Sequence, residues 1–163
     1  MDLIETLNRY MTRMVAVVMQ SGGMVNKFGG DSLLAVFGTP LNPAADHAAR
    51  AVKTALEMQQ ALIEFNQQQR SRGAPELRIG IGVATGAVVA GNVGGQDRIE
   101  YTVIGDTVNL AARLQEKSKE LGLMMVLHGD TYAQACNVLE LPVGEHQIIE
   151  VRGRQQPVEI VLL

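Results

Sequence analysis

Tyr101-Thr102-Val103-Ile104-Gly105-Asp106-Thr107-Val108-Asn109-Leu110-Ala111-Ala112-Arg113-Leu114 reads as a strand that turns directly into a helix. Aromatic and β-branched residues lead up to Ile104, Gly105 frees the turn, and the apolar period then lengthens. The spacing predicts a helix over about 107–121, with Leu110, Leu114 and Leu121 inward and Gly122 as its stop. Asn109 and Arg113 are four apart, so they share one helix face and can address one anionic ligand, Arg113 as an always-charged donor fork. On spacing alone a solvated polar face is the competing reading.

Working back from this stretch, Arg98–Ile104 pairs with Val88–Val93 around Gly94-Gly95, and Leu77–Ala84 alternates as another strand. Gly80, Gly82, Gly86, Gly91, Gly94, Gly95 and Gly105 are seven of the 17 glycines, a density that marks close backbone approach or simply turns. No GxxxxGK[ST] occurs, which excludes a Walker-type phosphate cradle. A long helix is predicted from Asn42-Pro43 to about Arg72, with Ala48, Val52, Ala55, Leu56, Leu62 and Ile63 buried. Before it, Met24–Phe28 and Leu33–Phe37 flank Gly29-Gly30-Asp31-Ser32, which places Asp31 at a hairpin tip, four residues after Lys27. Such an Asp is a turn former, or a carboxylate that holds Mg²⁺ together with water and substrate phosphate. A first helix carries Leu3, Leu7, Tyr10, Met11, Met14, Val15 and Val18 at helical spacing and stops at Gly22-Gly23.

After the third helix come Met124–Leu127, a helical turn near Asp130–Cys136, and two strands at Gln147–Val151 and Pro157–Leu162. The 163 residues contain no repeat or linker and read as one α+β domain. With 14 basic and 17 acidic side chains, the net charge of −3 argues against partners held by a basic field, such as nucleic acid or an anionic membrane. The longest apolar run, Met14–Met19, is too short to span a bilayer, and a cytoplasmic location is the expectation. Cys136 is the single cysteine, and His47, His128 and His146 lie too far apart in sequence to suggest a zinc site.

Taken together and in this order, three stretches resemble the class III nucleotidyl cyclases, the adenylate and guanylate cyclase catalytic domain family. They are Leu7-Asn8-Arg9-Tyr10, Val25-Asn26-Lys27-Phe28-Gly29-Gly30-Asp31 through Gly38, and Gly91-Asn92-Val93 through Leu114. The resemblance implies a ferredoxin-like βαββαβ core that works as a head-to-tail homodimer, with two active sites built across the interface. It implies that Asp31 is one of two metal-binding aspartates for two Mg²⁺ (or Mn²⁺). It further implies that Lys27 reads the purine edge and favours ATP, since an ammonium donates to adenine N1 whereas guanine N1–H seeks an acceptor. Thr102 matches the second base-reading position, in the form found in one bacterial adenylate cyclase subgroup typically stimulated by bicarbonate or carbon dioxide. Asn109 then orients the ribose, Arg113 stabilises the pentavalent phosphate, Arg152 grips the β and γ phosphates, and Arg98 contacts the triphosphate from the other subunit. The activity implied is conversion of ATP to 3′,5′-cyclic AMP and pyrophosphate for signal transduction.

The family's opening strand, of pattern Phe-x-Asp-Ile/Val-x-Gly-Phe, has no counterpart here. It supplies the second metal aspartate and is central in the sheet, between the strands at Leu33–Phe37 and Leu77–Ala84. The expectation is therefore an N-terminally incomplete catalytic domain over residues 1–163, weak or inactive alone, preceded by the missing strand and by a sensor or regulatory domain. A non-catalytic homology domain serving dimerisation or regulation is the alternative, opposed by the presence of Lys27, Asp31, Asn109 and Arg113. A diguanylate cyclase fits Gly29-Gly30-Asp31 but not Ser32-Leu33 after it. An RNA-binding ferredoxin-like sheet lacks an aromatic stacking platform.

Overall fold

The computed structural model describes residues 3–163. Its elements follow the α+β pattern read from the sequence: α1 (Leu3–Gln20), β1 (Met24–Gly29), β2 (Ser32–Val36), α2 (His47–Ser71), β3 (Ile81–Val83), β4 (Val89–Gly95), β5 (Arg98–Ile104), α3 (Asp106–Leu121), β6 (Met125–His128), α4 (Gly129–Cys136), β7 (Glu145–Ile149) and β8 (Val158–Leu162).

Three helical expectations are corrected. α2 begins at His47, because Asn42 is spent on the preceding turn: its amide donates to the Gly22 carbonyl at 2.6 Å and its backbone N–H to Thr39 at 3.0 Å. Ile63 faces solvent, since Leu62 and Phe65 set the phase of α2 against α1 and the next residue after Leu62 is rotated by about 100°. Leu121, expected inward, is exposed at the end of α3, as is Leu3 at the start of α1. Tyr10, Met14 and Val18 are buried as expected, and Gly122 ends α3 at φ 67°.

The strands form three sheets: the β1–β2 hairpin, the β4–β5 hairpin, and a four-stranded sheet in the order β3-β6-β8-β7. β3 runs parallel to β6, and β8 runs antiparallel to both β6 and β7. β6 is buried on both faces because its side chains alternate. Met125 and Leu127 pack with Val52, Ala55, Ala135 and Val161, so α2 and α4 cover one face. Val126 packs with Leu110, Leu114, Val158 and Ile160, so α3 covers the other. Fully burying each of these leucines contributes about 1.5–3 kcal/mol. A third cluster joins α1 to α2, with the Tyr10 and Phe65 rings edge to face at 6.0 Å.

The strand read over Leu77–Ala84 shortens to Ile81–Val83. Among the described residues only β6 pairs with it, while Leu77 is held outside any ladder by reciprocal bonds with the Asn66 side chain, at 2.8 and 2.9 Å. Gly82 is required here, because a Cβ would collide with the backbone of Ala111 and Gln115 where α3 crosses the strand. Neither β2 nor β3 pairs on its remaining edge among the described residues. Between them runs a slot of about 710 Å³, lined by both strands and floored by Ala51, Ala55 and Met58 of α2 and Val108 and Ala111 of α3.

Candidate active site

Burial of Leu110 and Leu114 against the sheet fixes the rotation of α3 and leaves Asn109 and Arg113, each rotated by about 100° from the leucine after it, exposed beside the buried face. Asp106, Asn109 and Arg113 follow at i, i+3 and i+7, one stripe along the helix. Arg113 is half-exposed and donates to Glu116 at 3.0 Å, a surface pair that yields readily to a stronger anion. The spacing of Asn109 and Arg113 is thus realised as a shared face.

Arg152 lies on the β7–β8 connection, in a turn closed by Arg154 N–H to the Val151 carbonyl at 3.0 Å. Gly153 adopts φ 90°, a conformation a side chain would resist, and so separates the two arginines. Arg154 Nε donates to Asp106 Oδ2 at 2.7 Å, which ties the turn to the first residue of α3. Arg152 itself is exposed and makes no ion pair among the described residues. The Arg154–Asp106 tie was missed in the sequence, whose only signal is a second arginine two residues from the first.

Thr102 sits in β5 opposite Gly91, on the face of the strand away from buried Val103. Arg98, at the start of β5, is highly exposed and ion-paired with Glu100, far along the hairpin from Thr102. Lys27 and Asp31 share the β1–β2 hairpin: Lys27 opposite Leu34, and Asp31 in the two-residue tip that Gly30 permits at φ 69°. Both line the slot between β2 and β3, as does Tyr10. The Tyr10 phenol is pushed up to about 12, first by burial and then by the negative charge of Asp31. Thr102, Asn109, Arg113, Arg98 and Arg152 do not line that slot. Of the seven residues, Lys27 and Asp31 line the slot, and the other five lie outside it on β5, α3 and the β7–β8 turn.

Asp31 makes no hydrogen bond or ion pair among the described residues, and no group of three or more His, Cys, Asp or Glu is gathered there. Mg²⁺ is commonly held by one or two carboxylates plus water and substrate phosphate, so Asp31 fits as one ligand of such an ion.

The domain thus combines an Asn–Arg stripe on a helix with a Gly-Gly-Asp hairpin and carries no Walker-type phosphate loop. The chain belongs to the Adenylate and Guanylate cyclase catalytic domain family, whose sequence pattern it matches over residues 1–163. It is 33% identical over 160 residues to Adenylate cyclase 1 of Rhizobium meliloti (strain 1021), covering 98% of this chain and 24% of that protein. The chain thus spans about a quarter of the length of the curated relatives it matches. Its fold superposes with a TM-score of 0.86 on the guanylyl cyclase Cya2, at 34% identity over 98% of this chain and 78% of the other. It superposes equally, at 0.86, on the adenylyl cyclase CyaB from P. aeruginosa, at 30% identity over 98% and 81% of the two chains. Solved relatives of both base specificities therefore share this architecture.

Proposed function

We propose that this domain forms 3′,5′-cyclic AMP from ATP, working as a head-to-tail homodimer. The observation that carries the choice of base is Lys27: an exposed ammonium on β1 that donates but cannot accept, suited to adenine N1 and opposed to guanine N1–H. The Thr102 hydroxyl donates or accepts at the second reading position. Asn109 holds the ribose so that its 3′-hydroxyl lies in line with the α-phosphorus. A bond forms between the 3′-oxygen and that phosphorus while the bond to the β-phosphate oxygen breaks. The 3′ proton passes to solvent water and pyrophosphate leaves with the electron pair. Arg113, one helical turn from Asn109, gives its fork to the equatorial oxygens as their charge grows. Arg152 grips the β and γ phosphates with bidentate geometry, and Arg98 reaches the triphosphate from the partner subunit. Asp31 would hold Mg²⁺ or Mn²⁺, which when bound lowers the pKa of the attacking hydroxyl and neutralises charge on the phosphates.

The distribution of residues supports the dimer, since Asp31 and the Asn109–Arg113 stripe of one chain lie on different elements and not in one pocket. The slot supports a sheet completed by one further strand between β2 and β3, bringing a second carboxylate beside Asp31. That the relatives are about four times longer supports a sensor or regulatory domain in the same protein. No helix among the described residues is long and apolar enough to cross a membrane, and we infer that catalysis takes place in the cytoplasm.

The test is a cyclase assay of the full-length protein with ATP and with GTP in Mn²⁺. Cyclic AMP should be the dominant product, and Lys27→Glu should shift the preference toward GTP by at least about tenfold, the worth of one good hydrogen bond. An unchanged ATP-to-GTP ratio would remove the base-reading role.

A further inference from the structure

Lys27 and Thr102 stand on two hairpins, β1–β2 and β4–β5, that share no strand ladder. Asn26 joins them. Its Nδ2 donates at 3.1 Å to the carbonyl of Tyr101, the group bonded directly to the nitrogen of Thr102. A carbonyl only accepts, so the amide has one orientation, with Oδ1 turned away. That Oδ1 is buried and has no hydrogen-bond partner among the described residues.

Asn26 is also where the β1–β2 register breaks. Val25 lies opposite Ala35 and Lys27 opposite Leu34, which leaves Asn26 unopposed in a bulge. Residues paired across strands share a face, and neighbours along a strand alternate. Because Ala35 and Leu34 are neighbours, Val25 and Lys27 fall on opposite faces, whereas in a regular strand they would share one. The bulge therefore decides which way Lys27 points, and the bulged residue is itself fastened to the backbone beside Thr102. A buried acceptor without a partner is costly, and a site chosen for stability alone would favour an apolar residue.

We propose that Asn26 is a positioning residue for nucleotide selectivity: it pins the β1 bulge to β5 and so holds Lys27 at a fixed offset from Thr102. This rests on the reading of Lys27 and Thr102 as the base-reading pair. A bond that served only folding would, when broken, lower stability and leave the choice of nucleotide alone.

The experiment uses the full-length protein with Asn26→Asp, which keeps the shape but sets an oxygen against the Tyr101 carbonyl. Asn26→Ser is a second variant that shortens the side chain without adding charge. kcat and KM are measured with ATP and with GTP, alone and in a Lys27→Ala background, alongside the thermal midpoint. The expected result is a fall in the ATP-to-GTP ratio of kcat/KM on the order of tenfold, borne mainly by KM for ATP. In the Lys27→Ala background the same change should leave the ratio where Lys27→Ala puts it, because Asn26 acts through Lys27. A lower thermal midpoint with an unchanged ratio in either folded Asn26 variant would overturn the proposal, as would an equal further fall in the Lys27→Ala background. If Lys27→Ala alone leaves the ratio intact, the base-reading assignment fails and the role of Asn26 with it. If Lys27→Ala moves the ratio and Asn26→Asp and Asn26→Ser do not, only the role of Asn26 fails.

Discussion

α3 and the β1–β2 hairpin each carry groups proposed to act on the nucleotide, but they are held in opposite ways. α3 lies across a four-stranded sheet, with Leu110 and Leu114 buried among Val126, Val158 and Ile160. The hairpin has two strands, one edge turned to the slot, and its ties to the rest of the fold include Leu33 against the α1–α2 cluster and the amide of Asn26 on Tyr101. On the proposed reading, the groups assigned to the transition state, Asn109 and Arg113, sit on the better-packed element, as such chemistry requires. The groups assigned to the base and the metal, Lys27 and Asp31, sit on the hairpin beside the open slot.

The strongest way to break this contrast is to loosen α3. Leu114→Ala should cost about 2–5 kcal/mol of unfolding free energy by urea denaturation, as the surrounding sheet cannot collapse onto the cavity. A loss well under that range would mean that α3 is no better anchored than the hairpin. Arg113→Ala should lower kcat on the order of 10²–10³ and leave KM for ATP within a few-fold. Matching losses in turnover and in binding of a non-hydrolysable ATP analogue would assign Arg113 to ground-state binding instead. Arg154→Ala tests whether the Arg152 turn belongs to the rigid side. Its pair with Asp106 is partly exposed, so the effect should be small, up to about fivefold in KM and little in kcat. No change in KM would detach that turn from the site.

The smallest effect concerns Tyr10, on the hairpin side. Its phenol is raised above the ordinary value of 10 to about 12, so the folded state holds the proton where the unfolded chain has released it. The stability this contributes is complete below pH 10 and is lost as the pH rises toward 12. Unfolding curves between pH 9 and 11.5 should therefore fall less steeply for Tyr10→Phe than for the parent. Identical slopes would mean that burial does not hold the Tyr10 phenol in its protonated form.

Much of the fold was legible because its helices and hairpins obey local rules. Leu110 and Leu114 mark the buried side of α3, Gly122 its end, and Gly30-Asp31 the hairpin tip, all from spacing and backbone freedom. Asn42 misled, since it lies in the Thr39–Asn42 turn, where its side-chain amide donates to the Gly22 carbonyl, five residues before α2 begins. Leu77–Ala84 also misled, because an alternating pattern shows what a strand can bury and not whether a neighbour pairs with it. Of the site, Asn109 and Arg113 were readable as neighbours on a helix, whereas Arg154 and Asp106 are 48 residues apart and nothing local links them.

The sequence by itself determined the order of elements, the stripe of Asn109 and Arg113, and the residue types that suit a triphosphate and a purine edge. These depend on the periods of helix and strand and on donor and acceptor chemistry, which are properties of short segments. Only the tertiary structure decided that Lys27 and Asp31 share a slot apart from Asn109 and Arg113, that Gly82 lies under α3, and that Asn26 ties the β1 bulge to β5. Those facts depend on which distant segments exclude water together, and no local pattern records that.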